Sequence, residues 1–253
     1  PCTTRLYVNR CRLRRLKRRV SLVLPIKPSR AFKVREQVPT GLEVLSTHRR
    51  DIERAARIVK GGGVVAFPTD TVYGLGCDPH NPWALRKALS VKGRRKKPFP
   101  ILVASPKLAG QIAVMDSRAK ALASRFWPGP LTIVLKPRVH FPDSLTMHRK
   151  TIAVRCPKNR ATLQLVRKCG GFLTGTSANL TGGPPCTSAK MVHRCLGDRI
   201  DAVVDGGRSR RRTASTVVRL DSRGATILRK GPIRNTHINR TLSSVPAPYK
   251  RTQ

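Results

Sequence analysis

The stretch GGGVVAFPTDTVYGLGCD, residues 61–78, decides the fold class of this chain. Its apolar run at 64–67 predicts a strand, which ends at Pro68 and is followed by the compact polar residues Thr-Asp-Thr. Ligands bind at loops that follow strands in α/β sheets, and the glycines at 74 and 76 allow a backbone to approach a ligand closely. On these residues alone the segment predicts either a binding loop or an ordinary polar turn.

Helical and strand patterns alternate on both sides of this stretch. Residues 51–60 carry apolar side chains on one face and end at Gly61, and Asn81-Pro82 begins a second helix at 83–91. Further helices are predicted at 117–126, 161–168 and 188–196, and further strands at 100–104, 131–135, 152–155, 172–174, 203–204, 216–220 and 226–229. This interleaving predicts an α/β fold in which helices flank a mixed, twisted sheet.

The two ends of the chain differ from its middle. Residues 1–46 are a basic, proline-punctuated lead, residues 47–233 are predicted to form the ordered domain, and residues 234–253 are a polar basic tail. An Arg-rich start without an acidic residue in positions 1–35 is typical of an organellar transit peptide, of an arm that contacts RNA, or of a disordered segment. The pattern does not choose between these readings.

The charge of the chain is strongly positive. There are 52 Lys and Arg against 12 Asp and Glu, a formal net charge of +40. Only 12 of the cations lie in residues 1–35 and only 4 in residues 234–253, so the middle of the chain is itself basic. Such a surface attracts polyanions, which predicts RNA or a phosphate-rich substrate nearby. The alternative is a general enrichment in arginine without a partner.

Cysteine usage and hydropathy set further limits. The seven cysteines form no CxxC pair, which argues against a zinc ribbon or a complete disulfide framework and indicates a reducing compartment. No apolar run approaches the roughly 18 residues that span a bilayer. We therefore predict a cytoplasmic protein without a membrane partner, unless the lead directs it to an organelle.

Two loops carry residues suited to phosphate. The run Lys-Gly-Arg-Arg-Lys-Lys-Pro at 92–98 can grip phosphate oxygens or RNA, or can simply face water. The small residues Gly-Thr-Ser-Ala-Asn at 175–179, with glycines at 182 and 183, can cradle anionic oxygens or form an ordinary turn. Neither GxxxxGK[ST] nor GxGxxG is present, and the six histidines lack metal-ligand spacing. Any chemistry is expected to depend on positioning and charge neutralisation.

Taken in order, these segments resemble the YrdC family. The resemblance covers about residues 48–233 and is carried by FPTDTVYGLG, KGR followed by PFPILV, WPGPLTIVL, IAVRCP, TSANLTGGPP, VVDGG, STVV and ILRKG. It implies a YrdC-like fold with a large concave basic cleft, in which residues 47–233 are the catalytic domain. The implied activity is that of an L-threonylcarbamoyladenylate synthase, which uses L-threonine, bicarbonate and ATP, with Mg²⁺, and releases pyrophosphate.

The resemblance also implies the site residues. It assigns threonine to Thr71, Arg155 and Ser215, makes Lys92 and Arg94 catalytic, and implies no metal ligand in the protein. It assigns ATP to Lys92, Arg94, Thr151, Ser177, Asn179 and Arg229. The chain departs from the family where Pro98 comes only four residues after Arg94, which puts the register of that loop in doubt, and where Leu102 replaces a histidine that some relatives carry.

The implied product passes to a tRNA-modifying threonylcarbamoyl transferase complex, for N6-threonylcarbamoyladenosine formation. Two alternatives stay open at this point. One is an RNA-binding module that kept the fold and lost the chemistry. The other is a relative that adenylates carbamoyl phosphate for hydrogenase maturation, although the zinc-finger and acylphosphatase modules of such chains are not visible in this sequence.

Overall fold

The computed structural model describes residues 41–93, 97–209, 211, 213–221 and 224–245. The strands there are β1 (Glu43–Leu45), β2 (Val65–Phe67), β3 (Gly74–Gly76), β4 (Ile101–Val103), β5 (Leu131–Leu135), β6 (Ile152–Arg155), β7 (Phe172–Thr174), β8 (Thr176–Ser177), β9 (Ala202–Val204), β10 (Thr216–Asp221) and β11 (Gly224–Arg229). The helices are α1 (Arg49–Lys60), α2 (Pro82–Lys92), α3 (Pro106–Ile112), α4 (Ser117–Phe126), α5 (Asp143–Thr146), α6 (Arg160–Lys168), α7 (Ala189–Leu196) and α8 (Asn235–Ser243).

The strands divide into two mixed sheets. One has the order β1-β9-β2-β3-β8, and the other has the order β11-β10-β5-β6-β4-β7. Each contains parallel and antiparallel pairs: β2 is parallel to β9 and antiparallel to β3, and β5 is parallel to β10 and antiparallel to β6. The predicted α/β class with mixed strands and flanking helices is confirmed, although the sequence predicted one sheet where there are two. The predicted concave basic cleft stays a prediction.

Helix α1 shows why the sequence folds as it does. The side chains of Ile52, Ala55, Ala56 and Val59 are buried, on the one face that the apolar spacing predicts. They share a hydrophobic cluster with residues of α6 and with Val65 of β2. Burial of each large aliphatic side chain contributes about 1.5–3 kcal/mol. The cluster joins the two sheets, because α1 packs on β1, β2 and β9 of the five-stranded sheet while α6 packs on β4 and β7 of the six-stranded sheet. None of the helices within the described residues has the length and apolar character that crossing a bilayer requires.

Two elements lie where the sequence predicted only the lead and the tail. Strand β1 falls within residues 1–46 and pairs in parallel with β9, Val44 opposite Val203. Helix α8 falls within residues 234–253, and its Ile238 is fully buried. Three strand residues, or one buried apolar side chain in a polar helix, produce too little periodicity to be recognised. The division into lead, catalytic domain and tail itself stays a prediction, but a truncation at residue 46 would remove β1.

The opening stretch forms a hairpin, in which β2 and β3 flank the Pro-Thr-Asp-Thr loop. Glycine is required at its end because the backbone passes another strand closely. A Cβ on Gly76 would lie 2.2 Å from the carbonyl oxygen of Thr174, and a Cβ on Gly74 would lie 2.6 Å from the Phe67 ring. The close approach brings β3 against the segment that carries β7 and β8, and so brings the polar loop beside the second small-residue loop.

Replacing Gly76 with alanine is therefore expected to destabilise the fold, since the backbone oxygen of Thr174 must move. We expect a loss of at least about 1–3 kcal/mol, the usual effect of overpacking. The matched control is Gly110→Ala in α3, where a Cβ meets nothing within 4 Å and helix propensity predicts a gain of about 0.5–1 kcal/mol. Equilibrium urea unfolding of the two variants checks this, and equal midpoints would refute the close approach.

Candidate active site

A cavity of about 460 Å³ is lined by residues of both sheets. Its walls come from the β2–β3 loop, the end of β6, the loop after β8, the segment before β10 and the end of β11. Among the described residues, four lining side chains are cationic and others carry hydroxyl groups. The cations are Lys92, Lys97, Arg155 and Arg229. A cavity of this kind suits a ligand with several anionic oxygens.

Arg155 is the most tightly held of these cations. It ends β6 and is only 6% exposed. Its Nε donates to Gly129 O (3.0 Å), its Nη1 to Thr71 Oγ1 (3.1 Å) and its Nη2 to Asp70 Oδ1 (2.5 Å). Burial lowers the pKa of Arg155, while the Asp70 carboxylate acts in the opposite direction. A guanidinium has five N–H groups, so these bonds leave two that can meet a ligand carboxylate.

The hydroxyl groups of the β2–β3 loop form a chain that has one direction. Thr69 Oγ1 donates to Val72 O (2.6 Å) and accepts from Thr71 N (3.1 Å). The 2.9 Å contact between Thr69 Oγ1 and Thr71 Oγ1 must then have Thr71 as its donor, because a threonine hydroxyl carries one hydrogen. Arg155 donates to Thr71, so the loop and the guanidinium fix each other's orientation.

A second arginine, Arg229, lines the same cavity. Arg229 Nε donates to Ser215 O (2.9 Å) and its Nη2 donates to Ser215 Oγ (3.0 Å), while Ser215 Oγ also lies 2.8 Å from Thr132 Oγ1. Partial burial of its guanidinium, and then repulsion by Arg155, lower the pKa of Arg229. An anion bound between the two arginines would relieve that repulsion.

Lys92 holds the small-residue loop. Asn81 caps α2 by accepting from two backbone N–H groups, and the helix ends by placing Lys92 at the cavity, where the residue is 2% exposed. Its Nζ donates to Ser177 O (2.7 Å) and to Asn179 O, and its carbonyl accepts from Thr181 N (3.0 Å). The ammonium group therefore positions the loop after β8 in addition to lining the cavity.

Asn179 presents an acceptor that has no partner. Its Nδ2 donates to Leu180 O and Gly183 O, both at 2.7 Å. Its Oδ1 is buried and has no hydrogen-bond partner within the described structure. An unsatisfied buried acceptor costs about 1–3 kcal/mol, and a ligand that donates a hydrogen bond would recover that free energy.

The β2–β3 loop is also attached to the segment after β9. The Tyr73 hydroxyl donates to Gly207 O (2.7 Å) and accepts from Gly206 N (3.2 Å). Burial raises the pKa of Tyr73 to about 12, so the hydroxyl stays neutral and keeps this donor near neutral pH. The predicted motifs at 67–76 and 203–207 are thus joined by hydrogen bonds at Tyr73, which lines the cavity.

The structure brings most of the predicted site residues together. Those that line this cavity are Thr71, Lys92, Arg155, Ser177, Asn179, Ser215 and Arg229. Thr151 is not among the lining residues, because it precedes β6 whereas Arg155 ends that strand, about 13 Å away at strand geometry. Arg94 lies outside the described residues, as do Arg95 and Lys96.

Several contributing residues were missed by reasoning from the sequence. Asp70 stands within the quoted motif, and its position beside Thr71 is a signal that could have assigned it to the site. Thr132 lies in the apolar strand β5, and no local pattern marks it. It reaches Ser215 only because β5 pairs with β10. Leu102 lines the cavity and packs on Gly175, where a Cβ would lie 2.5 Å from it.

Within the described residues, no group of three or more His, Cys, Asp and Glu side chains could hold a metal ion. Asp70 Oδ1, which is bonded to Arg155, accepts in addition from Lys158 N (3.0 Å). The lining side chains therefore offer hydroxyl, amide and cationic groups, which suit an anionic organic ligand better than a bare cation.

The chain is similar to the proteins of one known family. A family model described as Sua5_yciO_yrdC, Telomere recombination, matches residues 57–231. A threonylcarbamoyl-AMP synthase from Thiobacillus denitrificans is 38% identical over 164 residues, which are 64% of this chain and 87% of that protein.

Two solved structures share the fold. The crystal structure of Pyrococcus abyssi Sua5 complexed with L-threonine matches with a TM-score of 0.75 and 33% identity, over 81% of this chain and 61% of that one. This chain thus spans about three fifths of the length of that relative. E. coli YciO matches with a TM-score of 0.68 and 25% identity, over 76% of this chain and 96% of that one.

Proposed function

Because this chain belongs to the Sua5/YciO/YrdC family, we propose that it is an L-threonylcarbamoyladenylate synthase. The proposed reaction consumes L-threonine, bicarbonate and ATP and yields threonylcarbamoyl-AMP and pyrophosphate. The observation that carries the proposal is the buried guanidinium of Arg155. Gly129, Thr71 and Asp70 accept three of its N–H groups and orient it, and two N–H groups remain for a ligand carboxylate. The Pyrococcus abyssi relative, crystallised with L-threonine, supports the amino-acid substrate.

The threonine subsite consists of Thr71, Arg155 and Ser215. The substrate carboxylate pairs with the remaining N–H groups of Arg155, since a planar guanidinium matches a carboxylate in two-pronged geometry. Ser215 is held by Arg229 and Thr132 at the same cavity, where its hydroxyl can meet the polar side of the amino acid. Leu102 supplies an apolar surface at the same cavity, in the position where some relatives carry a histidine.

The ATP subsite consists of Lys92, Arg94, Thr151, Ser177, Asn179 and Arg229. Lys92 at the end of α2, Ser177 at the end of β8 and the exposed Lys97 all line the cavity. Their charges oppose the negative charge of the phosphates. The unpartnered Oδ1 of Asn179 accepts from a hydroxyl or amino group of the nucleotide. Thr151 and Arg94 remain part of this proposal on the family resemblance alone.

The chemistry depends on positioning. The threonine amine attacks carbon dioxide and releases a proton, or attacks bicarbonate and releases water, and in either case forms a carbamate. A carbamate oxygen then attacks the α-phosphate of ATP, the bond to the β-phosphate breaks, and pyrophosphate leaves with its electron pair. Arg155 holds the amino acid in place for this attack, and the other lining cations stabilise the charge that develops on the leaving group.

Mg²⁺ fits this site as a companion of ATP. Asp70 Oδ1 is engaged by Arg155 and a backbone N–H, and Asp70 Oδ2 is buried without a partner among the described residues, so Asp70 offers the ion at most one oxygen. We propose that phosphate oxygens and water supply most ligands of the ion, as is usual for Mg²⁺ in nucleotide sites. When bound, the ion neutralises phosphate charge. Lys92 and Arg229 contribute to the same neutralisation from the protein side.

The proposed partners follow from the product. Threonylcarbamoyl-AMP is an activated mixed anhydride whose acyl group a transferase can pass on, and we propose a tRNA-modifying threonylcarbamoyl transferase complex in that role. We propose a cytoplasmic enzyme without a membrane partner that meets RNA through its positive charge, with residues 1–46 as either a targeting segment or an RNA-contacting arm. Removal of residues 1–40 tests the lead while keeping β1 in place.

The proposed activity is tested by substrate choice. The purified full chain is incubated with ATP and Mg²⁺ and either L-threonine with bicarbonate or carbamoyl phosphate, and pyrophosphate is measured. We expect release only with threonine and bicarbonate. Release with carbamoyl phosphate instead would assign the chain to carbamoyl adenylation, and release with neither would leave an RNA-binding module without chemistry.

The role of Asp70 gives a separate prediction. Asp70→Asn keeps the size of the side chain but removes the charge that orients Arg155, so the KM for threonine is expected to rise about tenfold, the loss of a charged hydrogen bond. The KM for ATP should stay nearly constant. Steady-state pyrophosphate release at varied threonine and then varied ATP measures both constants. A matched rise in both would show that Asp70 supports the fold in general.

A further inference from the structure

Helix α2 has an unusual exposed face. Trp83 is 76% exposed, and the guanidinium of Arg86 lies 4.0 Å from the centre of its ring. The other exposed side chains on this face are Lys87 and Ser90, at the spacing of three and four residues that defines one side of a helix. We call Trp83, Arg86, Lys87 and Ser90 the α2 surface.

The α2 surface leads to the candidate active site. The helix is 11 residues long, or about 16 Å, with Trp83 in its first turn and Lys92 at its end. The chain then runs to Lys97, which is exposed and lines the cavity. A ligand that lies along this helix would therefore extend from Trp83 toward the end of α2, where Lys92 lines the cavity.

Charge along this face is mostly positive. Helix α5 packs beside α2, and the exposed residues His148, Arg149 and Lys150 follow it. Two carboxylates oppose them: Asp201 pairs with Lys87 (2.6 Å), and Asp143 lies 3.3 Å from His148. Arg86 instead lies on the indole ring of Trp83, so its charge is presented together with an aromatic face.

We propose that the α2 surface binds a single-stranded segment of RNA, with a base stacked on Trp83 and Arg86. An aromatic ring beside cations is the arrangement that holds unpaired bases and tracks a phosphate backbone. A protein interface would be expected to surround the tryptophan with further apolar side chains, whereas its neighbours on this helix face are cationic or polar. The net charge of +40 matches a polyanionic partner.

The two tryptophans of the chain allow a direct test. Trp127 is 6% exposed and its Nε1 donates to Leu131 O, so a stacked base can quench only Trp83. The full chain is titrated with single-stranded oligoadenylate, and separately with heparin, while tryptophan emission is recorded. We expect strong quenching by the RNA and little by heparin, which carries charge without bases. The experiment needs neither ATP nor threonine, so its outcome is independent of the proposed synthase activity.

Variants separate stacking from charge. Trp83→Ala is expected to weaken oligoadenylate affinity about tenfold, as loss of one stacked base does, and to leave heparin affinity and threonine-dependent pyrophosphate release unchanged. Trp83→Phe should retain most of the RNA affinity but lose the quenching. Arg86→Ala should weaken RNA binding more than Arg125→Ala, a matched loss of an exposed arginine on α4.

Three outcomes would overturn the inference. They are equal quenching by RNA and heparin, unchanged RNA affinity of Trp83→Ala, and a change in the oligomeric state of Trp83→Ala in analytical ultracentrifugation. The last would make the α2 surface an interface between copies of this chain.

Discussion

Replacing Arg155 with lysine is expected to lower kcat/KM for threonine by about 10- to 100-fold while changing the KM for ATP by less than about twofold. Lysine keeps the positive charge beside Asp70 but lacks the planar fork, so it cannot hold Gly129, Thr71 and Asp70 while pairing with a carboxylate. Steady-state pyrophosphate release at varied threonine and at varied ATP measures both constants.

The choice of lysine over alanine matters for this test. Arg155→Ala would leave the carboxylate of Asp70, 13% exposed, without its ion-pair partner, and breaking a buried pair in this way costs about 3–5 kcal/mol. Loss of activity could then come from unfolding. The control is Arg229→Lys, at the second lining arginine, which we expect to affect the KM for ATP more than the KM for threonine. If Arg155→Lys raised both KM values equally, Arg155 would not belong to the threonine subsite.

Replacing Lys92 with methionine is expected to reduce ATP use about 100-fold or more. The buried ammonium donates to the carbonyls of Ser177 and Asn179, and methionine leaves both acceptors without that donor, at about 1–3 kcal/mol each. The loop after β8 would then lose its position, and a cation would disappear from the cavity. ATP affinity, measured by titration calorimetry, and thermal unfolding distinguish these two losses.

The control for Lys92 is Lys97→Ala. Lys97 lines the same cavity but is exposed, so its loss removes one charge and leaves the loop in place. We expect a fall in ATP affinity below about tenfold, because an exposed charge is screened by water. If Lys92→Met bound ATP like the parent protein, Lys92 would neither position the loop for ATP nor supply charge to the nucleotide.

The sequence predicted the long, strongly periodic elements well. Helix α4 was predicted with its observed bounds at 117–126, and α1, α2, α6 and α7 within two residues at each end, since caps such as Asn81 and stops such as Gly61 are local signals. The strands β1, β3 and β8, each of two or three residues, and the helices α3, α5 and α8 were not predicted, because a short element or a polar helix carries little periodicity. The separation into two sheets depends on strand pairing over long distances, which local patterns do not encode.

The residues of the candidate site also fall into a group that the sequence predicted and a group that it did not. Residues in recognisable motifs, such as Thr71, Arg155 and Ser177, were identified from the sequence, and the structure brings them to one cavity. The arrangement of their partners could not be predicted. Asp70 orients Arg155, Thr132 reaches Ser215, and Lys92 donates to a backbone carbonyl only through tertiary packing, since each pair is 83 to 85 residues apart in the chain.

The central claim is that this cavity joins threonine and bicarbonate and activates the product on AMP. Its most direct test is incubation of the purified full chain with ¹⁴C-bicarbonate, L-threonine, ATP and Mg²⁺, followed by separation of the nucleotides. The account predicts that label enters an AMP-containing product in a one-to-one ratio with released pyrophosphate, and that no label enters when threonine is omitted. Pyrophosphate release without label in the nucleotide fraction, or label that does not depend on threonine, would contradict it.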